Sequence, residues 1–90
     1  MNSQHFFQIE NLFENIFQLL NTIFSKSEIE EVKSFIDVGE YGIAFETLCF
    51  IIDEENKTIT KEAFALIETL GTSMMLESDA WKFINHRIEN

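Results

Sequence analysis

The feature that most constrains the fold is the helical spacing of the apolar residues, which starts at the beginning of the chain. Between Ser3 and Phe24, apolar residues recur every three or four positions and fall in one arc of about 160° when successive residues are placed 100° apart. Amide and acidic side chains fill the opposite arc, so we predict a long amphipathic helix over 3–24. Phe7 lies outside the apolar arc. We place it in a frayed first turn; the alternative is an interface between the first helices of two copies.

A second helix follows the stretch "SKSEIEEV". Ser27 and Glu30 have the spacing of a capping box, in which each side chain bonds to the backbone amide of the other residue. We therefore predict a helix that begins at Glu28 and buries a short apolar stripe. Gly39 can adopt the left-handed conformation that ends such a helix, so the connection to the next helix is expected to be tight.

The third predicted helix, from about Glu40 to Glu54, is apolar on two sides. Its first stripe has core spacing and consists of Tyr41, Ala44, Phe45, Leu48, Ile51 and Ile52. Ile43 and Phe50 lie side by side on another face. Two interpretations are open: these two residues form a surface patch rimmed by Glu40, Glu46 and Asp53, or they pack under the first helix. Glu40 and Glu46 also have local alternatives, at the helix N-terminus and in a local ion pair.

The remaining sequence predicts two more helices. Thr60 is placed to cap a helix from Lys61 to Leu70, with Gly71 as its stop. Ser78 or Asp79 then caps a last helix in which Trp81, Ile84 and Ile88 share a face. No segment has the alternation or the turn residues of a β-hairpin. The predicted fold class is all-α, a small bundle of four to five helices, with residues 1–90 forming a single domain.

The charge balance restricts the class of partner. Sixteen acidic residues against six basic ones give a formal net charge of -10, which repels nucleic-acid phosphates and anionic membranes and attracts a basic protein. We therefore expect no direct nucleic acid and no membrane among the partners. The plainer alternative is that this charge keeps a chain with ten Phe residues soluble. The N-terminal stretch "MNSQHFFQIENLF" has neither the basic start of a signal peptide nor the composition of a membrane span, so a cytoplasmic location is expected.

The sequence offers little for catalysis. Cys49 is the single cysteine and lies among apolar residues, where burial raises a thiol pKa and opposes reactivity. Neither histidine belongs to a metal-binding spacing, and "DEENKTITKEAF" lacks the central Gly of a calcium-binding loop. We predict no enzymatic activity, no cofactor and no metal.

Three stretches resemble the MafI-type immunity proteins of polymorphic toxin and contact-dependent growth inhibition systems. They are "EVKSFIDVGEYGIAFETLCFII", "ITKEAFALIETLG" and the single Trp, and the densest part is "GEYGIAFETL". The resemblance rests on fourteen positions at their spacings: Phe35, Ile36, Gly39, Glu40, Tyr41, Gly42, Ala44, Glu46, Leu48, Ile59, Ala63, Ile67, Gly71 and Trp81.

The resemblance implies a cytoplasmic inhibitor that binds and neutralises a cognate toxin domain, commonly a nuclease, by stoichiometric inhibition. The alternative is an acidic helical adaptor or regulator of another basic protein. The acidic residues between Glu28 and Glu55 and the two outer apolar residues are the candidate contacts: Glu28, Glu30, Glu31, Asp37, Glu40, Ile43, Glu46, Phe50, Asp53, Glu54 and Glu55. The first helix leaves a homodimer open, because a Phe-rich helix suits a core and an interface equally well.

Overall fold

The computed structural model describes residues 3–89, which form five α-helices and one short 3-10 helix. The α-helices are α1 (Ser3–Leu20), α2 (Lys26–Asp37), α3 (Tyr41–Glu54), α4 (Lys61–Ser73) and α5 (Asp79–Lys82), and the 3-10 helix is Asn85–Arg87. No strand is present in this described part of the chain. The prediction of a small all-α bundle is therefore confirmed.

The four long helices pack as two pairs around one hydrophobic core. α2 lies along α3, α1 lies along α4, and α5 contacts both α3 and α4. Phe13, Phe45 and Ile67 are among the largest fully buried side chains and come from three different helices. The core stripe of α3 is confirmed except at its first position, because Tyr41 is half-buried at the edge of the core.

The first helix ends at Leu20, so its predicted end at Phe24 is wrong. The amides of Ile23 and Phe24 both donate to the carbonyl oxygen of Leu20, at 3.0 and 2.9 Å. Phe24 still reaches the core from this turn, which explains why its position fits a helical pattern. At the other end, Phe7 lies inside the regular helix with its side chain 65% exposed. The frayed first turn is therefore wrong, and the interface between two copies stays a prediction.

The second helix is capped by Ser25, and the predicted cap at Ser27 is wrong. Ser25 Oγ accepts from the amide of Glu28 at 3.1 Å, and Glu28 Oε1 accepts from the amide of Ser25 at 2.8 Å. Each serine precedes a glutamate by three positions, so the sequence pattern fits both equally well. At the other end of α2, Gly39 has a φ of 77°, and its predicted left-handed conformation is confirmed.

The fourth helix begins as predicted and ends later. Thr60 Oγ1 accepts from the amide of Ala63 at 3.0 Å, which confirms the cap. The helix continues through Gly71 to Ser73, so the predicted stop at Gly71 is wrong. The chain turns instead at Met75, which has a φ of 62°.

The C-terminal segment forms less helix than predicted. α5 has four residues, and Ser78 precedes it without a side-chain capping bond. Backbone hydrogen bonds hold the segment that follows against the connection between α3 and α4. The amide of Ile59 donates to the carbonyl oxygen of Arg87 at 2.9 Å, and the amide of Glu89 donates to the carbonyl oxygen of Ile59 at 2.8 Å. Ile59 and Ile88 thereby form an isolated parallel bridge.

Candidate protein interface

The outer face of α3 carries two exposed apolar side chains. Ile43 is 43% exposed and Phe50 is 60% exposed. They lie on the side of α3 opposite the core stripe, because positions three, four and seven apart share one side of a helix. The alternative in which they pack under α1 is therefore wrong, and the patch is at the surface.

Phe50 lies at a shallow groove between α2 and α3. The groove has a volume of about 250 Å³ and is lined by Glu31, Glu46, Thr47 and Phe50. Glu31 projects from α2, whereas the other three residues belong to α3. The short connection between Asp37 and Tyr41 folds the two helices into a hairpin, which brings the residue from α2 beside Phe50. We call this arrangement the Phe50 groove.

Most of the candidate carboxylates are exposed and have no internal partner. Within residues 3–89, no hydrogen bond or ion pair is formed by the carboxylate groups of Glu30, Glu31, Asp37, Glu40, Glu46, Glu54 and Glu55. Glu40 is the N-cap of α3 but makes no side-chain capping bond. The local ion pair considered for Glu46 therefore finds no support, whereas Glu40 lies at the N-terminus of α3, where a negative charge is favourable even without a capping bond. Asp37 lines a different groove, with Glu10 and Lys33, and lies outside the Phe50 groove.

Two candidate carboxylates have structural partners. Glu28 Oε1 accepts from the Ser25 amide and lies 2.9 Å from Lys57 Nζ. The backbone hydrogen bond from Ser25, followed by the bond from Lys57, lowers the pKa of Glu28 below its ordinary value. These bonds hold Glu28 in the fold, so we leave it out of the proposed contact surface.

Asp53, near the C-terminal end of α3, also has partners within the fold. Its Oδ1 lies 3.3 Å from Arg87 Nε and 3.2 Å from His86 Nε2, and its carbonyl oxygen accepts from Arg87 Nη2 at 2.8 Å. The predicted rim of Glu40, Glu46 and Asp53 is therefore corrected at Asp53. Beside Phe50 the groove is lined by Glu31 and Glu46, and the contact of Glu40 with a partner stays a prediction. Asp53 instead fastens the C-terminal segment to α3.

Two cation–aromatic contacts inside the fold were not anticipated from the sequence. Lys33 Nζ lies 5.5 Å from the centre of the Phe17 ring and 3.6 Å from Glu14 Oε1. Lys57 Nζ lies 5.5 Å from the centre of the Phe24 ring and forms its ion pair with Glu28. In both cases a cation has a ring on one side and a carboxylate as partner. Because the lysine and the ring come from different parts of the chain in both cases, helical periodicity carries no signal for either contact.

The single cysteine is placed unfavourably for nucleophilic chemistry. Cys49 is completely buried, and burial raises the pKa of its thiol to about 12. A thiol with such a pKa is almost entirely protonated at neutral pH and is a poor nucleophile. Within residues 3–89, no group of three or more His, Cys, Asp and Glu side chains is placed to hold a metal ion.

Comparisons with known proteins give no assignment. No family model matches the chain, and searches of curated proteins and of solved structures found no significant match. None of the helices within residues 3–89 is long and apolar enough to cross a bilayer.

Proposed function

We propose that this protein is an immunity protein that binds and neutralises a cognate toxin domain through the outer surface of the α2–α3 hairpin. The observation that carries the proposal is the exposure of Ile43 and Phe50 on a helix face beside carboxylates without internal partners. Solvent-exposed apolar side chains flanked by charge are characteristic of protein interfaces, in which buried anchors supply affinity and a polar rim surrounds them.

Electrostatics indicates the chemistry of the partner. With a formal net charge of -10, the protein attracts a basic surface over several ångströms and repels nucleic acid. Such steering raises association rates by about 10- to 1000-fold at low salt. A nuclease domain fits this requirement, because an enzyme that binds phosphates tends to carry a basic surface.

The class of partner comes from the resemblance to MafI-type immunity proteins, which are encoded beside secreted toxins. We propose stoichiometric inhibition: the protein covers the active site of the toxin domain or a surface near it. It contributes no chemistry of its own. The adaptor alternative shares the same contact surface and differs in its partner.

Co-expression tests the proposal. A toxin domain encoded beside this gene is produced with and without the protein, and growth is measured together with complex formation by an inactivated toxin domain. We expect restored growth and a one-to-one complex whose association slows as salt is added. A complex without restored growth would favour the adaptor. Absence of both would contradict the proposal for that toxin.

A further inference from the structure

The Phe50 groove contains two of the three kinds of group that meet twice elsewhere in the fold, an aromatic ring and a carboxylate. Lys33 contacts both the Phe17 ring and Glu14, and Lys57 contacts both the Phe24 ring and Glu28. In the groove, the Phe50 ring lies beside two carboxylates, Glu31 and Glu46. No Lys or Arg side chain within residues 3–89 pairs with either of these carboxylates.

The carboxylates of the groove lack the lysine partner that Glu14 and Glu28 have, and this determines which side chain the groove can accept. An aromatic face attracts a cation through its quadrupole, and a neighbouring carboxylate adds a charge-assisted hydrogen bond. In the two internal cases the protein supplies the cation itself. In the Phe50 groove the same complementarity faces outward and is available to a binding partner.

We infer that the Phe50 groove is a subsite for an arginine side chain of the partner protein, with the guanidinium lying against the Phe50 ring and bonding to Glu31 and Glu46. The inference rests on the proposed function, because it uses the same surface and specifies the chemistry of the partner's contact.

Three features of the groove favour arginine over lysine. The two carboxylates come from different helices, and Thr47 adds a hydroxyl acceptor. A guanidinium presents five donors in one plane and can bond to several acceptors, whereas an ammonium is a compact point charge. The guanidinium also stacks on an aromatic face and is more weakly hydrated than an ammonium, so its transfer out of water costs less free energy.

The apolar ring on the groove surface is a poor neighbour for a divalent metal ion, which prefers oxygen ligands.

The inference is testable without a cognate toxin. N-acetyl-arginine amide is titrated into the ¹⁵N-labelled full chain at constant ionic strength, and amide chemical shifts are followed. The lysine and citrulline analogues are measured in the same way. We expect saturable shifts centred on Glu31, Thr47 and Phe50, with arginine binding about threefold more tightly than lysine. Citrulline, which lacks the charge, should cause no saturable shift.

Variants separate the groove from the general acidity of the surface. Phe50→Leu keeps an apolar side chain but removes the ring, and Glu46→Gln removes one carboxylate charge; each should weaken arginine binding about fivefold. Glu30→Gln is the matched control, because it removes an exposed charge of α2 that does not line the groove. Its effect should stay within about twofold. Equal effects of Glu30→Gln and Glu46→Gln, shifts spread over all acidic residues, or equal binding of arginine and lysine would each overturn the inference.

The outcome for the subsite is distinguishable from the outcome for the proposed function. If the arginine amide binds at the groove but no toxin domain is bound, the subsite stands and the proposed function fails. If a toxin complex forms and is unaffected by Phe50→Leu and Glu46→Gln, the proposed function stands and the subsite is wrong.

Discussion

At the residue scale, Gly71 shows how one missing side chain shapes the core. A Cβ atom at this position would overlap the Trp81 ring and would lie 3.1 Å from Phe45 Cζ. Trp81 cannot easily move away, because its ring packs edge-on against Phe45 with centroids 6.3 Å apart and its Nε1 donates to Glu68 at 3.3 Å. Gly71 therefore allows α5 to approach α4 closely.

This close approach predicts that Gly71→Ala destabilises the protein. Overpacking of a well-filled core costs about 1–3 kcal/mol, and the better helix propensity of Ala offsets about 1 kcal/mol of that. The two effects together leave a net loss of up to about 2 kcal/mol in the free energy of unfolding, which urea denaturation measures.

Gly42→Ala is the matched control for this substitution. A methyl group at Gly42 would meet no atom within 4 Å apart from its chain neighbours and the backbone of its own helix. The same change there should therefore be neutral or should stabilise α3 by up to about 1 kcal/mol. Similar effects of the two substitutions would contradict the role given to Gly71.

At the element scale, α2, α3 and α4 end in the same way. The first residue past each helix cap, Gly39, Asn56 and Met75 respectively, has a positive φ. The amide of the next residue donates a hydrogen bond to a carbonyl oxygen in the last turn of the helix. In α4, for example, the Leu76 amide donates to the carbonyl oxygen of Gly71 at 3.0 Å. These are Schellman endings, which satisfy carbonyl groups that would otherwise lack a partner. The ending of α2 has Gly at the left-handed position, whereas those of α3 and α4 have Asn56 and Met75, which are harder to predict there from sequence.

The capping box of α2 gives a prediction at this scale. Ser25→Ala removes the acceptor for the Glu28 amide and should reduce the free energy of unfolding by about 1 kcal/mol. Ser27→Ala, in the first turn of the same helix, should change it by less than about 0.5 kcal/mol. Urea denaturation of both variants decides between the two serines, and a larger loss for Ser27→Ala would contradict the observed cap.

Glu28, the second residue of the capping box, predicts a pH dependence of the stability. The folded pKa of Glu28 lies below its ordinary value of 4.5, so the ionised carboxylate stabilises the fold fully above that value. Its contribution is lost as the pH falls below 4.5 through the folded pKa. The stability difference between wild type and Glu28→Gln should therefore shrink as the pH falls from about 6 to about 3. Glu30→Gln serves as control, and a pH-independent difference for Glu28→Gln would contradict the assignment.

The sequence predicts most of these elements but not all of their ends. Helical periodicity located the helices and the two faces of α3, because burial on one side leaves a regular pattern. It could not choose between Ser25 and Ser27, which have the same local spacing. It also could not place the end of α4, because Gly71 is required by Trp81 in a different helix and not by a local turn.

The candidate interface was predictable only in part, for a similar reason. Ile43 and Phe50 lie on one helix, so a helical wheel places them together. Glu31 comes from another helix, and its position depends on how α2 and α3 pack. The internal bond between Asp53 and Arg87 joins residues 34 positions apart. No local pattern reports such a bond, so Asp53 was placed in the rim.

At the scale of the whole molecule, three of the six Lys and Arg side chains form ion pairs within the fold. Lys33, Lys57 and Arg87 pair with Glu14, Glu28 and Asp53 respectively. The excess of carboxylates that remains includes Glu31 and Glu46 beside Phe50. The outer surface of the α2–α3 hairpin thus combines negative charge with exposed apolar area, which is the central element of the proposed function.

The most direct test of this claim is the dissociation constant of the complex with the cognate toxin domain, measured for wild type, Phe50→Ser and Met75→Ser. Met75 is the matched control, because it is an exposed apolar residue outside the α2–α3 hairpin. We predict that Phe50→Ser weakens binding at least tenfold, as expected for an anchor worth about 1.4 kcal/mol or more. Met75→Ser should change it less than about twofold, and both variants should keep the wild-type melting temperature. Unchanged binding by Phe50→Ser, or an equal loss in both variants, would contradict the account.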